Sequence, residues 1–362
     1  MRNCESWWYG SAAAGTFTRL PAPPPLTPPS DSLRPVNDLN VSTRIYVAGH
    51  LGMVGSAITR ALTARGHENL IVRALEELDL TDPAATLAFF EQERPEVVVM
   101  AAAKVGGIVA NWEQPYEFIQ QNLAIELSVV DAAFRTGVGR FVFLGSSCIY
   151  PKLAPQPLRE EYLLTGPLEE TNRPYALAKI AGIELCRSLN REYGTDYLSV
   201  MPTNLYGPGD NFDLRTSHVL PAMIRRFHEA KLGLPGEDGS ARTPHSPVTL
   251  WGTGTPRREF LYADDLADAV CFLLERGRAA DIPDGLVNIG SGVDQTIREL
   301  AELVQRVVGH EGEILWDDEK PDGTPQKLLD VTRLRELGWR PRIGLEEGIG
   351  MAYRWYQERS AS

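Results

Sequence analysis

Between Gly145 and Lys179 the chain places serine, cysteine, tyrosine and lysine at spacings that chemistry can use. The stretch opens Gly145-Ser146-Ser147-Cys148-Ile149-Tyr150-Pro151, just after an apolar run at 141–144, and closes Pro174-Tyr175-Ala176-Leu177-Ala178-Lys179. Tyr175 and Lys179 stand four apart, so a helix puts them on one face about one turn from each other. An ammonium beside a phenol is expected to stabilise the phenolate and lower the tyrosine pKa, giving an acid and base usable near neutrality. Ser146, at the carboxyl end of a strand, can hydrogen-bond the carbonyl oxygen that Tyr175 protonates. These are the parts that carbonyl reduction needs. A lone Tyr-x-x-x-Lys arises by chance on many amphipathic helices, and the Ser-Ser pair after a strand gives it weight.

The elements that must position these groups are readable around them. Residues 44–48 form a short buried strand, and Gly49, His50, Leu51, Gly52, Met53, Val54 and Gly55 follow, with helical periodicity over 56–65. Strand, glycine turn and helix bring backbone N–H groups and a helix N-terminus to a pyrophosphate. The bland alternative is a tight strand-to-helix turn. Further strands are expected at 70–72, 97–100, 141–144 and 198–201, with helices at 117–135 and 175–193. Such alternation predicts a doubly wound parallel sheet of the Rossmann type, with ligands at the strands' carboxyl ends. Beyond about residue 205 shorter pieces take over: strands near 248–251, 260–262, 287–289 and 314–316, and helices over 219–230, 266–276, 297–308 and 345–357. The expected organisation is an extension at 1–43, a dinucleotide-binding domain at 44–205, and a smaller α/β substrate lobe at 206–362 that partly interleaves with it.

Bulk properties narrow the function. With 36 Lys and Arg against 48 Asp and Glu, the net charge of −12 argues against nucleic acid or a membrane surface as partner. Four cysteines (Cys4, Cys148, Cys186, Cys271) lack metal-ligand spacing, so neither a disulfide framework nor a metal site is expected. No apolar run approaches the roughly 18 residues of a spanning helix. Pro21 to Pro29 holds six prolines in nine residues, which predicts a dispensable, polyproline-like extension rather than a secretory signal.

With these residues in place, the chain from Arg44 onward resembles the extended short-chain dehydrogenase/reductase family. The blocks that carry the resemblance are Gly49 to Gly55, Ala101-Ala102-Ala103-Lys104-Val105-Gly106-Gly107-Ile108, Gly145 to Lys152, Pro174 to Lys179, Pro202-Thr203-Asn204-Leu205-Tyr206-Gly207-Pro208 and Lys320-Pro321-Asp322-Gly323-Thr324-Pro325. Within the family the likeness is to the branch that epimerises GDP-4-keto-6-deoxy-D-mannose at C3 and C5 and reduces it at C4 with NADPH, giving GDP-L-fucose. The resemblance implies that Ser146, Tyr175 and Lys179 serve reduction and that Cys148 and His218 exchange the ring protons. A thiolate and an imidazole both titrate near neutrality. On their own, Cys148 reads as a small buried hydrophobe and His218 as a surface residue. Ser147 and Cys148 stand where related dehydratases carry an Asp-Glu pair, which removes the carboxylates that loss of water needs.

The same resemblance places NADP(H) along 49–55 and against Arg73, Leu144, Gly145, Ser146, Ser147, Lys179, Pro202, Thr203, Asn204, Leu205 and His218. It assigns the GDP end of the substrate to Arg226, Trp251, Arg258 and Asp322. Arginine forks suit a pyrophosphate and an indole suits a base or ribose; solvated arginines, a core tryptophan and a turn aspartate are the plain alternatives. Relatives carry arginines for the 2′-phosphate where this chain has Leu51 and Leu75, so Arg73 is the expected substitute, with Glu76 and Glu77 close behind it. A cytoplasmic homodimer paired through the helices at 117–135 and 175–193 is implied. The alternatives are another sugar-nucleotide epimerase or reductase, and a dinucleotide-binding protein without catalysis.

Overall fold

In the computed structural model, residues 39–236, 239–320 and 322–360 are described. The extension expected at 1–43 lies outside the described residues up to 38. The chain then runs β1 (Ile45–Ala48), α1 (Met53–Ala64), β2 (Leu70–Ile71), α2 (Pro83–Glu93), β3 (Val97–Met100), α3 (Ile108–Glu113), α4 (Pro115–Thr136), β4 (Arg140–Leu144), α5 (Arg173–Tyr193) and β5 (Tyr197–Pro202). There follow β6 (Asn204–Tyr206), α6 (Val219–Leu232), β7 (Val248–Trp251), β8 (Arg257–Tyr262), α7 (Ala263–Arg276), β9 (Leu286–Ile289), β10 (Asp294–Thr296), α8 (Ile297–Val308), β11 (Ile314–Asp317), β12 (Gln326–Lys327), α9 (Thr332–Glu336) and α10 (Leu345–Ser360).

Strand sequence dictates the main layer. Ile-Tyr-Val-Ala in β1 and Val-Val-Val-Met in β3 are buried on both faces, as strands covered by helices on each side must be. They build a parallel sheet ordered β2-β1-β3-β4-β5-β9. Alternation sends Tyr46, Val98, Phe141 and Phe143 to one face, where Phe90, Val129 and Ile183 meet them from α2, α4 and α5. Ile45, Val47, Val97, Val99 and Val142 point to the other, against Ile58 and Leu62 of α1 and Leu266 and Val270 of α7. Each such side chain contributes about 1.5–3 kcal/mol on burial. The sheet is the doubly wound Rossmann layer that the alternation predicts.

Residues beyond 205 supply two things. One is a lobe in which α6, α8 and α10 close a separate core around Leu220, Phe227, Val304 and Tyr353. Small sheets flank it: β8 with β6, β10 and β12, and β7 with β11. The other is material for the first layer, since β9 pairs with β5 and α7 covers α1's face of the sheet. Helix α2 was not expected; Asp82 caps it by accepting from the N–H groups of Ala84 and Ala85, with Pro83 at its start.

Candidate active site

The carboxyl ends of β1, β4 and β5 meet at one edge of the sheet. After β1 the chain turns at Gly49, whose φ of +81° is left-handed. Gly49 O accepts from Gly52 N at 3.1 Å, and α1 begins one residue later with no side-chain cap on Gly52. Gly55 packs on the turn: a Cβ there would lie 2.6 Å from Gly49 C and 2.9 Å from His50 Cα. Close-packed glycines and an uncapped helix start form a cradle that fits a dinucleotide pyrophosphate. His50 Nδ1 is buried there without a hydrogen bond, while the side chain of Leu51 is exposed. Met53 and Val54 sit half-buried in the first turn of α1.

After β4, Leu144 and Gly145 lead into a short 3-10 turn at Ser147–Ile149. Ser146 Oγ accepts from Cys148 N at 3.2 Å and lies near enough to the Tyr175 hydroxyl to favour its charged form. Cys148 is half-buried, and its Sγ receives the Asn172 amide at 3.3 Å and the Lys327 ammonium at 3.5 Å. Asn172 is the residue before α5, so the start of that helix is tied to the thiol. Tyr175 occupies the first turn of α5, its ring edge-on to Phe118. Ser147 is buried beside the cleft that Cys148 and Lys327 line.

The expected depression of the Tyr175 pKa is not found. Its hydroxyl is raised above the ordinary phenol range, by burial first, then by Cys148 and Glu126, with the Ser146 hydroxyl pulling the other way. The reason is where Lys179 points. Its Nζ lies 5.9 Å from the Tyr175 ring centroid but 3.2 Å from Glu126 Oε1, in an ion pair with both partners no more than 2% exposed. Tyr175 is therefore held as a phenol, the form a proton donor must have.

His218 stands at the start of α6 and offers its side chain to no cap. More than a third of the residue is exposed, yet its surroundings hold the imidazole below the ordinary range, through desolvation first and the charge of Lys327 second. Lys327, on β12, thus acts on both His218 and Cys148. Sequence reasoning missed it, because nothing marks a lysine 179 residues after the cysteine as its neighbour.

The remaining expected contacts divide. Pro202 ends β5; Thr203 and Asn204 both turn their side chains to the Glu259 carbonyl, at 3.2 and 2.7 Å, and Leu205 lies half-buried on β6. Arg73 already has partners: Nη2 is 2.6 Å from Glu93 Oε1 and the guanidinium lies over the Phe89 ring, so α2 engages this cation. Arg226 is half-buried on α6, and Trp251 is exposed on β7. Arg258, on β8, is within electrostatic reach of Cys148 and Asp322. Asp322 clasps the neighbouring turn, accepting from Thr253 N at 3.0 Å and Thr253 Oγ1 at 2.7 Å.

Two organisers were also invisible in sequence. Glu259 is fully buried and accepts from Gly292 N and Leu329 N at 2.6 and 2.9 Å, joining β8 to the loops after β9 and β12. Glu126 is the counter-ion of Lys179. No group of His, Cys, Asp and Glu suited to a metal occurs among the described residues.

Comparison with known proteins agrees with this geometry. Residues 45–290 match the NAD dependent epimerase/dehydratase family. A probable GDP-L-fucose synthase of Oryza sativa subsp. japonica is 53% identical over 320 residues, 88% of this chain and 93% of that protein. The GDP-L-fucose synthase of Escherichia coli K12 is 52% identical, covering 87% and 97%. Among solved structures, a GDP-6-OMe-4-keto-L-xylo-heptose reductase from Campylobacter jejuni superposes with a TM-score of 0.84 at 36% identity, over 89% of this chain and 99% of its own. A GDP-mannoheptose C4 reductase of Campylobacter jejuni, solved with NADP bound, gives 0.80 at 37% identity, covering 88% and 99%. The chain belongs to the NAD dependent epimerase/dehydratase family and, within it, to the GDP-L-fucose synthases.

Proposed function

We infer that this protein makes GDP-L-fucose from GDP-4-keto-6-deoxy-D-mannose by epimerising C3 and C5 and reducing C4. The observation that carries the reading is one cluster holding two sets of proton-transfer groups: Ser146 and Tyr175 for an oxygen, Cys148, Lys327 and His218 for carbon. The ketone acidifies the neighbouring C–H bonds. Cys148, as a thiolate beside the Lys327 ammonium, takes the ring proton and leaves an enolate. His218, when protonated, returns a proton to the opposite face; an imidazole held below its ordinary range is the stronger acid for this. The turn from Gly49 to Gly55 would hold NADPH, which would supply the hydride for C4. Tyr175 gives its hydroxyl proton to the C4 oxygen, Ser146 orients that oxygen, and solvent restores the phenol.

The cradle of Gly49, Gly52 and Gly55 fits the cofactor pyrophosphate. Because Glu93 engages Arg73, discrimination of the 2′-phosphate is expected to be weaker than in relatives with arginines at positions 51 and 75. Arg226, Trp251 and Arg258 are assigned to the GDP end. Asp322 supports that end by holding the 252–255 turn. We read residues 44–205 with α7 and β9 as the cofactor unit, and the α6, α8 and α10 core as the substrate lobe. Leu123 and Leu127 on α4 and Leu177 on α5 expose an apolar strip that supports a homodimer through these helices. Cys148, Cys186 and Cys271 are free thiols, in keeping with the cytoplasm, and no described helix is long and apolar enough to cross a membrane.

The test is separation of the two activities. Cys148→Ser removes the thiolate but not the hydride path, so the expected product is an unepimerised 6-deoxy sugar with little L-fucose. In heavy water the wild-type product carries deuterium at C3 and C5, and the variant's incorporation falls sharply. Full exchange at both carbons in Cys148→Ser would assign the base to another residue.

A further inference from the structure

Glu126 is a carboxylate that the reaction as written leaves idle, and it is built into the catalytic helix pair. It projects from α4 to within 3.2 Å of Lys179 Nζ, at 1% exposure, and neither oxygen accepts a hydrogen bond from another described group. The opposite side of the pair is closed by the Phe143 ring, 4.8 Å from Nζ. Space for the carboxylate comes from Gly182, where a Cβ would stand 3.0 Å from Glu126 Oε2 and 2.7 Å from Phe143 Cε2. A buried acid with one partner is costly and adds little net stability. Its position is therefore better explained by what it does to that partner.

We propose that Glu126 is a positioning residue of the reductase half-reaction: it holds the Lys179 ammonium against α4 and sets the pH range of reduction without serving epimerisation. The proposal rests on the reading of Tyr175 and Lys179 as the reducing pair. The Glu126 carboxylate, 3.2 Å from Nζ, fixes the Lys179 ammonium in place before any ligand enters. The same charge helps keep Tyr175 in its proton-bearing form. Burial in turn pushes the Glu126 carboxyl above the ordinary range, against the pull of Lys179. Other titratable groups that feel this site are Cys186 on α5, which Glu126 pushes further up, and Cys148 in the turn after β4, which acts on Tyr175. Glu126 contacts Lys179 on α5, whereas Cys148 is held by Asn172 and Lys327, so the carboxylate has no direct contact with the thiol's partners.

The experiment uses the full chain and GDP-4-keto-6-deoxy-D-mannose. Single-turnover NADPH oxidation is followed from pH 6 to 10, and deuterium exchange at C3 and C5 is followed in heavy water without cofactor. Glu126→Gln is expected to exchange deuterium at close to the wild-type rate, which also reports that it is folded. Its reduction at pH 8 should fall about tenfold, with the alkaline limb about one pH unit lower. Glu126→Asp should restore part of both, and it carries the same test should the glutamine variant fail to fold. An unchanged pH profile, or equal losses of exchange and reduction with no change in the profile, would overturn the proposal. Failure of the wild-type protein to reduce this substrate would instead overturn the functional reading.

Discussion

Replacing Gly55 with alanine separates what the glycine turn does for the ligand from what it does for the fold. The new Cβ would meet backbone, not a mobile side chain: 2.6 Å to Gly49 C and 2.9 Å to His50 Cα, with the Gly49 oxygen closer still. Ordinary contact begins near 3.4 Å, so the turn must open by about 0.8 Å at Gly49 C. Overpacking of this kind costs about 1–3 kcal/mol. The displaced atoms also carry the N–H groups at the start of α1, so NADPH affinity should drop at least tenfold, about 1.4 kcal/mol. Gly194→Ala is the control. It sits at φ +68° with nothing within 4 Å of the added carbon, so only the left-handed conformation is charged, about 1–2 kcal/mol. Thermal melts should show comparable destabilisation in the two variants. Titration of NADPH fluorescence should show weakened binding in Gly55→Ala alone. Wild-type affinity in Gly55→Ala, or equal loss in both, would refute the cradle.

Three further outcomes follow from the geometry. Tyr175→Phe should slow single-turnover NADPH oxidation by about a hundredfold while NADPH binding is retained; near-normal turnover would remove Tyr175 from the donor role. Lys327→Met should slow iodoacetamide alkylation of Cys148 at pH 7.5 by about tenfold, since a charge 3.5 Å from the sulfur is lost; peptide mapping that shows an unchanged rate would refute it. Asp210, whose Oδ2 is buried without a partner, is raised to about 7 by burial. The folded state binds this proton more tightly than the unfolded chain, so the group's stability contribution is full below the unfolded value and is lost as pH rises through 7. Asp210→Asn should therefore gain on wild type between pH 5 and 8, by on the order of 1 kcal/mol, and a gap that is constant in urea melts would contradict this.

Strands such as β3 were legible because four apolar residues in a row, three of them β-branched, can do little else between covering helices. α2 was not, because its buried side chains at Thr86, Phe89 and Phe90 make a narrow stripe; the readable signal was the Asp82-Pro83 cap. β6, β10 and β12 owe their existence to β8, which no local pattern announces. The same limit governs the site. Ser146, Tyr175 and Lys179 lie within one stretch and could be read together. Spacing said which face Lys179 shares with Tyr175, but not that Glu126, from the preceding helix, would hold it. Arg73 looked available because Glu93 lies twenty residues away. Lys327 and Glu259 act across such distances that only the folded chain brings them to the thiol and the loops.

The order in which the main sheet is completed bears on how the chain is made. β5 pairs on its outer side with β9, whose residues 286–289 leave the ribosome more than eighty positions later. Until then β5 presents an unprotected edge of fully buried side chains, Tyr197 to Pro202, ready to pair with a neighbouring nascent chain. α7, which covers the sheet face beside α1, is equally late. Long-range parallel pairing is slow to close. Synthesis therefore contains an interval in which the catalytic stretch from Gly145 to Lys179 has emerged but cannot yet be held in place. Chaperone demand, and sensitivity to premature termination, should concentrate between β5 and β9.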